Sequence, residues 1–182
     1  MHKTIARIVE YCRQYDIVIN EKKTQWLKKG DPVREDAAGK PIVIPPNDDE
    51  QFMINGSIIE KVDRFKLLGI WTMSNGSNRV HIMKRIQAAY APIPGLNELG
   101  LNDPKIIGTL ISTYVRPRLL YGFEALELNK QEQDDLIKCE VKIKKRALNL
   151  PNNSYNTQIY EMLEIVSLEW AMKKRRISFF KQ

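Results

Sequence analysis

Cysteine is nearly missing from this chain: Cys12 and Cys139 are the only two in 182 residues. They lie at no metal-ligand spacing, which excludes a cysteine-held zinc module and suggests a reducing compartment. Long apolar runs are missing as well, so no segment reaches the length needed to span a bilayer, and Met1-His2-Lys3 does not lead into the apolar core of a signal peptide. The expected location is intracellular, nuclear or cytoplasmic, with no membrane partner. Internal repeats and low-complexity tracts are absent too. Acidic residues are in deficit, 22 against 29 Lys and Arg, which leaves a net charge of +7. That balance favours acidic partners, with nucleic acid ahead of an anionic membrane surface. A hydrophobic content of 43% beside 28% charged residues describes a globular chain rather than a disordered one. Its length suits one large domain or two small ones.

Ile5, Ile8, Val9 and Cys12 fall at i, i+3, i+4 and i+7, the stripe of an amphipathic helix that ends near Tyr15-Asp16. Ile17-Val18-Ile19 follows as a short β-branched run, Asn20 makes a turn, and Thr24 to Lys28 alternates around Trp26 like a strand. Residues 30 to 50 are dense in turn-formers and charge and read as an exposed loop, with one possible strand at Ile42-Val43-Ile44. Asn55-Gly56, between Phe52-Met53-Ile54 and Ile58-Ile59, supplies the positive φ angles of a type I′ hairpin. Val62 to Trp71 continues as a strand pair or one long strand, and Ser74-Asn75-Gly76-Ser77 closes the β region.

The pattern then turns helical. Ile82, Ile86, Ala89 and Tyr90 share one face and His81, Lys84 and Arg85 another, until Pro92, Pro94 and Gly95 stop the helix. Asp103-Pro104 is an N-cap with proline in the first turn. The predicted buried face of the helix it starts is Ile106, Ile107, Leu110, Ile111 and Tyr114, up to Arg116-Pro117, with Leu119, Leu120 and Tyr121 also in the core. A helix from about Lys130 to Leu148 carries an apolar stripe, Leu136, Cys139, Ile143 and Ala147, and a basic stripe, Lys138, Lys142, Lys145 and Arg146. Pro151-Asn152-Asn153 breaks it, and a last helical stretch ends in Lys173-Lys174-Arg175-Arg176. The fold class expected from this order is α+β, with strands in the first half and helices in the second.

Two-metal phosphoryl transfer needs carboxylates converging on ions about 3.5–4 Å apart. The Asp-Asp pairs here are Asp48-Asp49, after Pro45-Pro46-Asn47 in a loop, and Asp134-Asp135, after Gln131-Glu132-Gln133 in a helix. Neither sits on a strand turn after a tyrosine, so both read as solvated charges, and no catalytic or metal residue is assigned. His81 has no cysteine or second histidine at ligand spacing and reads as a hydrogen-bonding or phosphate-facing residue.

Three blocks taken in order carry more information. Asn20-Glu21-Lys22-Lys23-Thr24, Phe65-Lys66-Leu67-Leu68-Gly69-Ile70-Trp71 and Arg116-Pro117-Arg118-Leu119-Leu120-Tyr121-Gly122 together resemble the C-terminal part of a reverse transcriptase from a non-LTR retrotransposon. The resemblance spans roughly residues 3 to 150. It implies a palm remnant with a primer-grip hairpin over 1–76, a helical thumb over 77–150 and a C-terminal helical extension over 151–182. Asn20, Lys23 and Thr24 match the family's Asn-x-x-Lys-Thr motif beside the incoming nucleotide. Leu68 and Gly69 fall in the grip that approaches the primer. His81 and Arg85 match a His-Ile-x-x-Arg-Ile thumb segment. With Arg79, Lys84, Arg116 and Arg118 they would lie along the phosphate backbone of an RNA/DNA duplex, binding it without sequence preference. Leu67 replaces the family's usual Tyr, and Phe123-Glu124-Ala125 keeps its Glu but not its Trp.

In that family the magnesium-binding carboxylates lie upstream of these motifs, so the chain is expected to begin after them, to need no cofactor and to be inactive alone. A missing upstream polymerase segment is then a possible partner, completing a split enzyme. The competing expectation is an element-derived structural piece with no specific ligand, every basic face being a solvated helix surface.

Overall fold

The computed structural model describes residues 2–30 and 51–181, and the chain divides into two units, Met1–Ser77 and Asn78–Gln182. The strand expected at Ile42–Ile44 and the pair Asp48-Asp49 lie outside the described residues. Strands occupy the first unit and helices dominate the second, so the class is α+β.

In the first unit, α1 (His2–Gln14) precedes a 3₁₀ turn (Glu21–Lys23) and β1 (Gln25–Trp26). β2 (Phe52–Ile54) and β3 (Ser57–Lys61) are antiparallel, with Ile54 opposite Ser57, and β1 pairs parallel to β3, giving the order β1-β3-β2. The hairpin turn is Asn55 at φ 50° and Gly56 at φ 83°, the pair of positive angles a type I′ turn needs. Alternation puts Phe52, Ile54 and Ile59 on one face, where Ile5, Val9, Ile19 and Trp26 pack on them. Trp26 meets Phe52 edge-on at 4.6 Å and donates its indole N–H to the Ile59 carbonyl. Ile8, expected in the α1 stripe, is exposed. Among the described residues, Ile5 and Val9 are the α1 side chains packed on this small apolar cluster.

A second hairpin, β4 (Arg64–Leu67) and β5 (Ile70–Met73), pairs Leu67 with Ile70 and resolves the Val62–Trp71 expectation in favour of a strand pair. Its two-residue turn is Leu68 at φ 46° and Gly69 at φ 84°.

In the second unit, α2 (Arg79–Tyr90) is followed by α3 (Ile93–Glu98), α4 (Pro104–Leu110), a π-helical turn (Ile111–Val115) and α5 (Arg116–Leu120). Then come α6 (Lys130–Ala147), α7 (Asn156–Leu163) and α8 (Leu168–Phe180). α2 ends at Tyr90 before the prolines, as expected, and the same prolines start α3, with Pro92 as its cap and Pro94 in its first turn, where a missing N–H costs nothing. Asp103 accepts from the Lys105 N–H at 2.8 Å and so caps α4. Asn129 and Glu132 form a reciprocal capping box that fixes the start of α6.

The π turn corrects the predicted buried face. Pro117 has no N–H, and in a continuous α-helix its ring would strike the carbonyl four residues back. The wider turn, closed by the Arg116 N–H on the Ile111 carbonyl, inserts one residue and relieves that clash. The buried positions run Ile107, Ile111, Val115, Leu119 and Leu120, with Tyr114 exposed by the inserted residue; Ile106, before the turn, and Tyr121, after the helix, are exposed as well. Leu136, Cys139, Ile143 and Ala147 of α6 are buried as expected, and α7 and α8 add Ile159, Leu163 and Leu168 to the same core. Gly108 lets α4 approach α7 closely, since a Cβ there would sit 2.1 Å from the Leu163 carbonyl oxygen.

Candidate nucleic-acid interface

The residues singled out in the sequence separate into three groups. Asn20 and Thr24 are occupied in one local turn: the Asn20 side chain accepts from the Lys23 N–H, and the Thr24 hydroxyl donates to the Asn20 carbonyl at 2.8 Å. Glu21 locks this turn onto the β2–β3 hairpin by accepting from Ser57 and Asn55, and those hydrogen bonds hold its carboxyl below the usual range. Lys23 points its side chain to solvent. The motif's conformation is thus explained by capping alone. Leu68 and Gly69 are the tip of the β4–β5 hairpin, and Leu68 is 84% exposed.

The third group lies on α2 and α5, two helices packed against each other. His81 is fully buried, so the expected phosphate-facing role is corrected: its Nε2 lies 2.9 Å from the Tyr121 carbonyl. A carbonyl oxygen only accepts, which places the proton on Nε2. Burial pushes the imidazole below its ordinary value, Tyr121's carbonyl opposing and Arg85 assisting, and this keeps the ring neutral. Its ring also meets Phe123 edge-on at 5.0 Å. The histidine is therefore a strut between α2 and the turn that ends α5.

That turn presents Tyr121 to solvent, because Gly122 at φ 85° ends the helix there. The Arg85 guanidinium stacks 5.2 Å from the Tyr121 ring centroid. Lys84, Arg79 and Arg118 are exposed on the same two helices. Arg85 and Tyr121 thus form a cation–aromatic pair between two packed helices that carry further exposed cations, with Tyr114 exposed one turn before Arg118.

Arg116 does not belong to this surface. It is buried, with Nε on Glu140 and Nη2 on the Val166 carbonyl, because the inserted π residue turns position 116 inward. Glu140 also takes Lys144 Nζ at 2.6 Å, and the same ammonium lies 3.6 Å from the Tyr160 ring centroid. Burial drives Lys144 down to about 8, against the attraction of Glu140 and helped by repulsion from Arg116. Tyr160 is held above its ordinary value by the same burial and by Glu140.

Two of these features escaped the sequence reading. Glu140 sits three residues before Ile143 and four after Leu136, squarely in the apolar stripe, and a carboxylate in such a stripe signals a buried ion pair. Tyr121 stands directly before a helix-ending glycine, which marks it as the last, outward residue of its turn.

Among the described residues no group of three or more His, Cys, Asp or Glu is arranged to hold a metal, and Asp134-Asp135 lies along the polar side of α6. These residues do not fit a magnesium pair. Also among the described residues, no helix is long and apolar enough to cross a membrane. Comparisons with protein-family models, with curated proteins and with solved structures return no match to this chain.

Proposed function

We propose that this chain is part of a non-LTR-type reverse transcriptase and that its helical unit grips an RNA–DNA duplex by the phosphate backbone, without reading sequence. The carrying observation is the stack of Arg85 on exposed Tyr121, on two packed helices, α2 and α5, that also expose Lys84 and Arg118. Stacking on tyrosine fixes the guanidinium in place, so less side-chain freedom is lost when it meets a phosphate. Exposed lysine and arginine on packed helices then add charge at defined positions on a rigid support. An excess of positive charge over the whole chain, +7, favours the encounter. Such a grip asks nothing of catalytic carboxylates, since its contacts are to the phosphate backbone.

Fluorescence anisotropy with a labelled RNA–DNA hybrid tests this reading. Arg118→Ala and Lys84→Ala should each weaken binding several-fold, equally on unrelated sequences. Binding that ignores both substitutions would leave the surface as a solvated helix face and remove the proposal.

A further inference from the structure

A cavity of about 190 Å³ opens in the second unit between α6, α8 and the 120–128 segment. Its floor is apolar, formed by Leu120, Phe123, Ile137 and Met172. A dry apolar cavity of about 150 Å³ accepts a benzene ring, so this one holds a single ring with roughly 40 Å³ to spare for a short substituent. Phe123 and Met172 favour that ring being aromatic, through edge contacts and sulfur–ring contacts.

The rim is charged in a lopsided way. Glu124 pairs with Arg175 at 3.0 Å and Glu169 with Lys173 at 2.8 Å, and these pairs cancel. Arg176 supplies the remaining charge, leaving the lining at +1. A ligand with one negative charge balances that lining. A phosphate monoester, carrying about −1.5 to −2 at neutral pH, would exceed it. A carboxylate also matches the planar fork of an arginine with two parallel hydrogen bonds.

We infer that this cavity binds a small aromatic monocarboxylate, with its ring on the Phe123–Met172 floor and its carboxylate on Arg176. The site is separate from the α2–α5 surface and does not depend on the duplex-binding reading. Nothing in its chemistry reads a base or a phosphodiester.

The test uses the full chain with ¹³C-labelled methionine methyls, six in all, which report position by position. Met172→Leu assigns the reporter. Phenylacetate should shift the Met172 methyl saturably, with roughly millimolar affinity for so small a ligand. Phenylacetamide, the same shape without the charge, should bind about tenfold more weakly. Arg176→Gln, a change at an exposed position, should bring phenylacetate down to the level of the amide while the other methyl signals stay in place. Arg176→Lys should recover part of the loss. Absence of a saturable Met172 shift overturns the inference, as does equal binding of acid and amide. Unchanged acid affinity in Arg176→Gln overturns it too.

Discussion

Glu140→Gln is the substitution with the largest effect expected from this structure. Glu140 is fully buried between two cations, Arg116 at its Oε1 and Lys144 at its Oε2. Removing its charge leaves both cations in the core with no anion. Breaking a buried pair in this way costs about 3–5 kcal/mol, most of the stability of a marginal domain. Lys144 has an escape, since burial already holds it down to about 8, so shedding its proton near neutral pH costs about 1.4 kcal/mol per unit. Arginine side chains keep their charge, so the Arg116 share of the penalty stays. Lys144→Met makes the opposite case. It removes the surplus cation, keeps the Arg116–Glu140 pair and fills similar volume with apolar atoms, so no buried charge is left without a counter-charge. Its cost is the cation–ring contact with Tyr160, about 2 kcal/mol when desolvated. Urea unfolding followed by helical circular dichroism at pH 7 should therefore rank Glu140→Gln as the severe variant and Lys144→Met as within about 2 kcal/mol of the parent. Equal losses for the two, or a loss below about 1 kcal/mol for Glu140→Gln, would refute the picture of one anion holding two buried cations.

The same network makes a pH prediction. Lys144 sits at about 8 folded against its ordinary 10.5, so the unfolded chain binds more protons between those values and stability rises with pH there. Cys139, pushed up to about 11 from 9.0, acts the other way above pH 9. Comparing the parent with Lys144→Met cancels the cysteine, and the parent should gain on the variant from pH 8 to 9; parallel curves would contradict the assignment. The π-turn register predicts that Ile111→Ala costs about 2–5 kcal/mol while Tyr114→Ala stays within about 0.5 kcal/mol, and comparable losses would restore the uninterrupted helix. Leu68→Asn should stabilise the first unit by about 0.5–1 kcal/mol in thermal unfolding, because asparagine accepts the left-handed angle more readily than leucine; a loss would give Leu68 a packing role.

Local signals in the sequence were read well where one residue type enforces one conformation. Asn55-Gly56 gives its hairpin, Asp103-Pro104 its helix start, and the Leu136–Cys139–Ile143–Ala147 spacing its buried stripe. The reading failed where two local rules compete. Around Pro117 the 3.6-residue period predicts Tyr114 inside, but an extra residue relieves the ring's clash with the preceding turn and shifts the buried face to Val115 and Arg116, while Leu119 and Leu120 stay in the core as expected. Arg116 turns inward for that reason, and Tyr121 faces outward because the helix ends before Gly122. Helical spacing puts His81 on the basic face, yet its hydrogen bond to a carbonyl 40 residues away decides its position, and no local pattern encodes that partner. The candidate interface is accordingly smaller in arginines and richer in tyrosine than the sequence suggested.

Salt dependence tests the duplex-backbone grip most directly. Each phosphate neutralised contributes roughly −0.9 to the slope of log K against log salt on B-form DNA, and an RNA–DNA hybrid should respond in kind. The parent chain should lose affinity steeply as salt rises. A Lys84→Ala, Arg118→Ala double variant should flatten the slope by roughly one to two units, to the same extent on unrelated sequences. A flat salt response in the parent chain, or a slope untouched by the double variant, would contradict the grip and return α2 and α5 to a solvated surface.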